Sequence, residues 1–152
     1  MNGPGAPGRP DDAGRFTRRP RSTPGTTGRS ERARRDADNL RAEFTRLRRW
    51  AQTIAARGRE AFMDPDDETL YLAAQAVIIN LAEALERRTP ASVLDDALPE
   101  GAGSVRGMRN RLAHDYLFVD KVILWDAVAR DAPALLDRVL ADEVITAERF
   151  LR

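Results

Sequence analysis

The sequence predicts an all-α protein, a bundle of four to five helices behind a disordered N-terminal tail. Three observations carry that expectation. Ala, Leu and Arg dominate a chain with 6% aromatics, a mix that favours helix over strand. Apolar residues beyond the tail recur at a 3.6-residue period. No segment alternates apolar and polar residues in the manner of a half-buried strand, and no internal repeat is found.

The tail is read over residues 1–33 and the helical domain over 34–150. Residues 1–35 hold nine arginines against Asp11, Asp12 and Glu31, a net of +6, whereas 36–152 carry 16 basic and 21 acidic groups, a net of −5. Five prolines and six glycines fall in the first 30 residues. Such a stretch buries too little apolar surface to offset its ordering entropy. Two roles stay open for it: a solvated extension, which is the preferred reading, or a basic arm that strengthens RNA binding in a salt-dependent way.

The first helix is expected from about Asp36 to Arg57, on the stripe of Leu40, Phe44, Leu47 and Ile54, with Gly58 starting its end. A loop follows, leading into the acidic turn Asp64-Pro65-Asp66-Asp67-Glu68. Proline near a first turn and acids at the positive dipole end read as a helix start. Carboxylates also bind magnesium, but no further spaced ligands accompany these. The second helix, about Asp66 to Arg88, is the most apolar. Leu70, Leu72, Ala73, Ala76, Val77, Ile79, Leu81 and Leu85 cover more than one face, so it is central or shared with a second subunit. Asn80 and Glu83 interrupt that surface and need partners if buried. Thr89-Pro90 opens a short helix around Ala91–Leu98, closed by Pro99 and the glycines that follow. Ser104 suits the cap of a helix from about Val105 to Leu117. Asp120 suits the cap of a last helix from Lys121, interrupted near Pro133 and resuming to about Arg149.

Composition excludes much chemistry. The chain has no cysteine and one histidine, so disulfides, thiolate nucleophiles and a dedicated zinc or iron site are not expected, and no cofactor is implied. No apolar run reaches the ~18 residues needed to span a bilayer, and no signal peptide is read. A cytoplasmic protein is expected. Twenty-four of the 25 basic residues are arginine, which is read as coding bias rather than as a mark of nucleic acid.

The run Arg109-Asn110-Arg111-Leu112-Ala113-His114-Asp115-Tyr116 carries the candidate chemistry. His114 is the only side chain whose ordinary pKa lies near neutrality. An arginine, a carboxamide, a carboxylate and a phenol surround it, a grouping suited to phosphodiesters. Asn110 and His114 share a helix face, as do Arg109 and Tyr116, while Arg109 and His114 lie about 140° apart. A bent arginine side chain, or two such helices meeting across a two-fold axis, would bring them together. Spacing alone leaves a second reading open, a surface helix with Arg111 and Asp115 as an ordinary i,i+4 pair.

At this motif the sequence resembles the HEPN superfamily, and more narrowly the HepT-like toxins, whose pattern is Arg-x4-His-x-Tyr. Arg109, His114 and Tyr116 match it and Asn110 fills the polar position. Gly107-Met108 before it, and Phe118-Val119-Asp120, Ile123-Leu124-Trp125, Asp131-Ala132-Pro133 and Leu135-Leu136 after it, follow the family style. Glu83 sits where such proteins often have a glutamate on the second helix, and the likeness spans roughly residues 36 to 145. The resemblance implies a HEPN-type homodimer whose two motifs meet in a cleft, acting as a metal-independent endoribonuclease toxin. In that role Arg109, Asn110 and His114 would be catalytic, with Arg111 and Glu83 in support. It also implies a minimal nucleotidyltransferase antitoxin as partner, which transfers AMP onto Tyr116, a residue that would otherwise contact RNA. The alternative is a catalytically idle HEPN module that docks a nucleotidyltransferase or binds nucleotide. A helical DNA-binding regulator is disfavoured by the net −5 of the folded part.

Overall fold

The computed structural model describes residues 25–97, 107, 110, 120–141 and 144–151. The protein is all-α, and no strand occurs among the described residues. Helix α1 (Thr26–Ala56) is 31 residues long, about 46 Å at 1.5 Å per residue. Its buried residues are Ala33, Ala37, Leu40, Phe44, Leu47, Ala51 and Ile54. They alternate spacings of four and three, which keeps one narrow seam facing the rest of the bundle.

This start corrects the expected boundary. The helix begins ten residues before Asp36, and Thr26–Ala33 is helical rather than part of a disordered tail. The prolines stop at Pro24, and the Arg, Glu and Ala that follow are strong helix formers. Ala33 and Ala37 extend the seam, and Arg32 pairs with Asp36 one turn on at 3.9 Å.

Arg57 ends α1, and Gly58 at φ +84° turns the chain into α2 (Gly58–Met63). A loop is expected there. Phe62 supplies the reason for a helix: it is fully buried, with its ring centroid 6.3 Å from that of Tyr71 and 5.2 Å from that of Trp125. The acidic turn is a helix start, as its composition predicts, but α3 (Thr69–Arg87) begins three residues later than expected. Asp64 accepts from the Asp66 amide and Asp67 from the Thr69 amide, each at 2.9 Å. Hydrogen bonding from Thr69, its side chain first and then its backbone, holds the Asp67 carboxyl below its usual range. These two carboxylates serve the backbone of the turn.

Helix α3 buries Tyr71, Ala74, Gln75, Val77, Ile78, Leu81, Ala82, Ala84 and Leu85. Leu72, Ala76 and Ile79 of the expected apolar surface instead lie on its outer side, with Leu72 47% and Ile79 36% exposed. The polar interruptions are settled locally. Asn80 Nδ2 donates to the Ala76 carbonyl at 2.7 Å, and Glu83 pairs with Arg87 at 3.3 Å. Thr89 Oγ1 donates to the Ala84 carbonyl at 2.9 Å and closes the end of α3. Helix α4 (Ala91–Ala97) follows and buries Val93.

Beyond it, Asp120 Oδ1 accepts from the Val122 amide at 2.7 Å and caps α5 (Lys121–Asp126), as expected. The break near Pro133 is also present. Proline has no N–H, and its ring strikes the carbonyl four residues back in a regular helix. The chain answers with a wide π turn, Ala127–Asp131, closed by the Ala132 amide donating to the Ala127 carbonyl. Helix α6 (Ala132–Leu140) resumes from there. It ends nine residues short of the expected Arg149, and a 3₁₀ turn at Ala147–Phe150 lies back against α1. Arg41 holds that return by donating to the Ile145 carbonyl at 2.7 Å.

The core joins α1, α3, α5 and α6, with Leu47, Ile78, Leu81, Leu124, Leu136 and Val139 fully buried. Ion pairs tie its rim: Arg48 to Asp137 at 2.6 Å between α1 and α6, and Arg88 to Glu43 between the end of α3 and α1. No helix among the described residues is long and apolar enough to cross a membrane.

Candidate active site

The segment between α4 and α5 contains the motif. Helix α4 lies against α6, and α5 lies against α2 and α3, so the chain enters and leaves the segment at two separate places in the bundle. Its exit is anchored. Lys121 Nζ sits 5.5 Å over the Tyr71 ring, 3.8 Å from Glu68 and 3.4 Å from the Asp64 carbonyl oxygen, to which it donates. A cation against an aromatic face and a carboxylate holds the first turn of α5 to the start of α3. Sequence reading gave Lys121, the chain's one lysine, no role beyond opening the last helix.

Within the segment the backbone is helical at Gly107 and at Asn110, one turn apart, and both residues are exposed. Asn110 is therefore a surface position on a helical turn. Arg109, Arg111, His114 and Tyr116 lie outside the described residues, as do the expected cap Ser104 and the far end of the motif helix. Glu83 is half-exposed on α3, with its carboxylate engaged by Arg87. The two form an i,i+4 pair on one face of α3.

Gln75 was not singled out by its sequence. It is 3% exposed in the middle of α3, and its Nε2 has no hydrogen-bond partner among the described residues. An uncompensated buried amide costs roughly 1–3 kcal/mol. A glutamine inside an otherwise apolar helical stripe is the mark that would have found it.

Trp50 was also missed. It is 40% exposed on the outer side of α1, with the Arg46 guanidinium 5.0 Å above its ring. It borders a recess of about 340 Å³ between α1 and α3, walled by Ile54, Leu70, Ala73 and Val77.

A family model described as HepT-like, Ribonuclease HepT-like, matches residues 45–141, well over half of the chain and including the whole motif. No curated protein and no solved structure matches.

Proposed function

The chain belongs to the HepT-like ribonuclease family, and from that membership we propose that it is a metal-independent endoribonuclease acting as the toxin of a toxin–antitoxin pair. The observation that carries the reading is the family match across a segment holding Arg109, Asn110, His114 and Tyr116 together. The helical backbone at Gly107 and Asn110 supports the motif helix from which those groups would project.

RNA supplies its own nucleophile, the 2′-hydroxyl. His114 takes the proton from that hydroxyl as general base. The 2′-oxygen then forms a bond to phosphorus while the bond from phosphorus to the 5′-oxygen breaks. The leaving oxygen collects a proton, from His114 of the second copy or from water. The products are a 2′,3′-cyclic phosphate and a 5′-hydroxyl. Arg109 holds the phosphate through the build-up of charge, a preorganised electrostatic role. Asn110 orients His114 or the substrate, with Arg111 and Glu83 in support. Two copies of the chain form a homodimer with both motifs in one cleft.

Control rests on Tyr116. A nucleotidyltransferase partner joins its phenolic oxygen to the α-phosphorus of ATP, with pyrophosphate leaving. The added phosphate charge and bulk, two residues from His114, then oppose entry of a polyanion.

The test is expression of wild type and His114→Ala in a bacterial host, with growth and RNA integrity followed together. Growth arrest with RNA fragmentation in the wild type alone is the expected result. Fragmentation by both removes His114 from the mechanism. No effect from a soluble wild type overturns the ribonuclease reading.

A further inference from the structure

From residue 26 onward, positive charge is concentrated on α1 and its C-cap Arg57, after a segment 1–25 that itself carries five arginines against two aspartates. Residues 26–57 hold nine arginines against four acidic residues, a net of +5, whereas 58–152 hold eleven basic against eighteen acidic groups, a net of −7. Along α1, Arg35, Arg46, Arg49, Trp50, Thr53 and Arg57 fall within about 100° of arc. All six are exposed. The guanidinium groups of Arg35, Arg49 and Arg57 make no ion pair among the described residues. Arg46 lies 3.8 Å from Glu43 and stacks on Trp50. A helix on a net-acidic body that keeps three unneutralised arginines beside an exposed indole is arranged for a polyanion with flat, stackable groups.

We propose that this face of α1 is a binding track for single-stranded RNA, with Trp50 as its base-stacking platform. The proposal rests on the reading of RNA as the substrate and adds a second place of contact besides the motif. Arg35 to Arg57 spans about 33 Å, the length of roughly ten stacked nucleotides at ~3.4 Å each. The recess beside Trp50, about 340 Å³ and apolar apart from Thr53 and Arg57 at its rim, receives an unstacked base. The arginines on either side meet phosphates. Such a track has little sequence preference, because every base has a π-face and every nucleotide a phosphate.

The experiment uses the full chain and a fluorescent RNA of roughly ten nucleotides carrying 2′-O-methyl riboses, which removes the nucleophile and leaves binding as the only readout. Anisotropy titrations are run across a salt series. Trp50→Ala is expected to weaken binding about tenfold, and Trp50→Phe to restore most of it. The pair Arg49→Ala and Arg57→Ala is expected to lower the salt slope by about 0.7 for each charge removed. Arg138→Ala, an exposed arginine on α6, leaves the slope unchanged. Wild-type affinity in the stripe variants overturns the track, as does a wild type that does not bind. So does a loss of affinity that coincides with dissociation of an oligomer by sedimentation, which would assign this face to a second copy of the chain. Cleavage of the natural 2′-hydroxyl RNA by wild type is measured alongside. Cleavage with unaffected stripe variants sinks the track alone, and binding through the stripe without cleavage sinks the ribonuclease reading alone.

Discussion

The ring of Phe62 lies 5.2 Å from that of Trp125, tilted by 53°, and this contact joins α2 to the helix that follows the motif. Phe62 is fully buried. Truncating such a ring leaves a cavity that the neighbours fill only partly. Phe62→Ala is expected to cost about 3–5 kcal/mol in urea denaturation. A loss below about 1 kcal/mol would mean that α2 docks without its phenylalanine.

Gln75 is the opposite case, a buried polar group whose removal helps. Its Nε2 has no hydrogen-bond partner among the described residues, and methionine has a similar length without a donor to satisfy. Gln75→Met is expected to stabilise the fold by roughly 1 kcal/mol, read as a higher urea midpoint at constant slope. A lowered midpoint would show that the amide donates to a group in the folded protein.

The two motif arginines have different expected weights. Arg109→Ala is expected to lower the rate of cleavage about a hundredfold or more, in line with loss of one preorganised donor to a developing charge. Arg111→Ala should lower it less. The reverse order in single-turnover assays would move the phosphate-holding role to Arg111.

Tyr116→Phe separates catalysis from control. The phenylalanine variant is expected to cleave RNA while refusing AMP from the nucleotidyltransferase and ATP, read by the mass of the intact chain. Incorporation of AMP into this variant would place the modification elsewhere.

Deleting residues 1–33 removes the first two turns of α1 together with the buried Ala33. Losing one buried methyl costs about 0.8 kcal/mol, so a fall in Tm of about 2–6 °C is expected against a chain starting at Thr26. An unchanged Tm would mean that these turns add nothing to the bundle.

How much of this was legible in the sequence differs from element to element. The cap at Asp120 and the break before Pro133 were readable because each depends on one residue and its immediate neighbours. The start of α1 was not, because the glycine and proline content of the first 30 residues hid a seam that continues through Ala33 and Ala37. Helix α2 was hidden because its reason for existing is Phe62 packing on Trp125, 63 positions away. Periodicity found the apolar residues of α3 but did not divide them, since Leu72 and Ile79 are as apolar as the buried Ile78. At the candidate site, the motif was visible as residue types at a spacing, which conveys chemistry. Gln75 was overlooked although its place inside an apolar stripe is a sequence signal, and Trp50 because an exposed tryptophan becomes unusual only when its surroundings are known.

Lys121 is the sole lysine of the chain, and its ammonium is tucked against Tyr71, Glu68 and the Asp64 carbonyl oxygen. An acylating reagent therefore meets one side-chain amine in the whole molecule, and that amine marks the junction at the exit of the motif segment. Its labelling rate, with and without RNA or a partner, is a side-chain report on the surroundings of that junction.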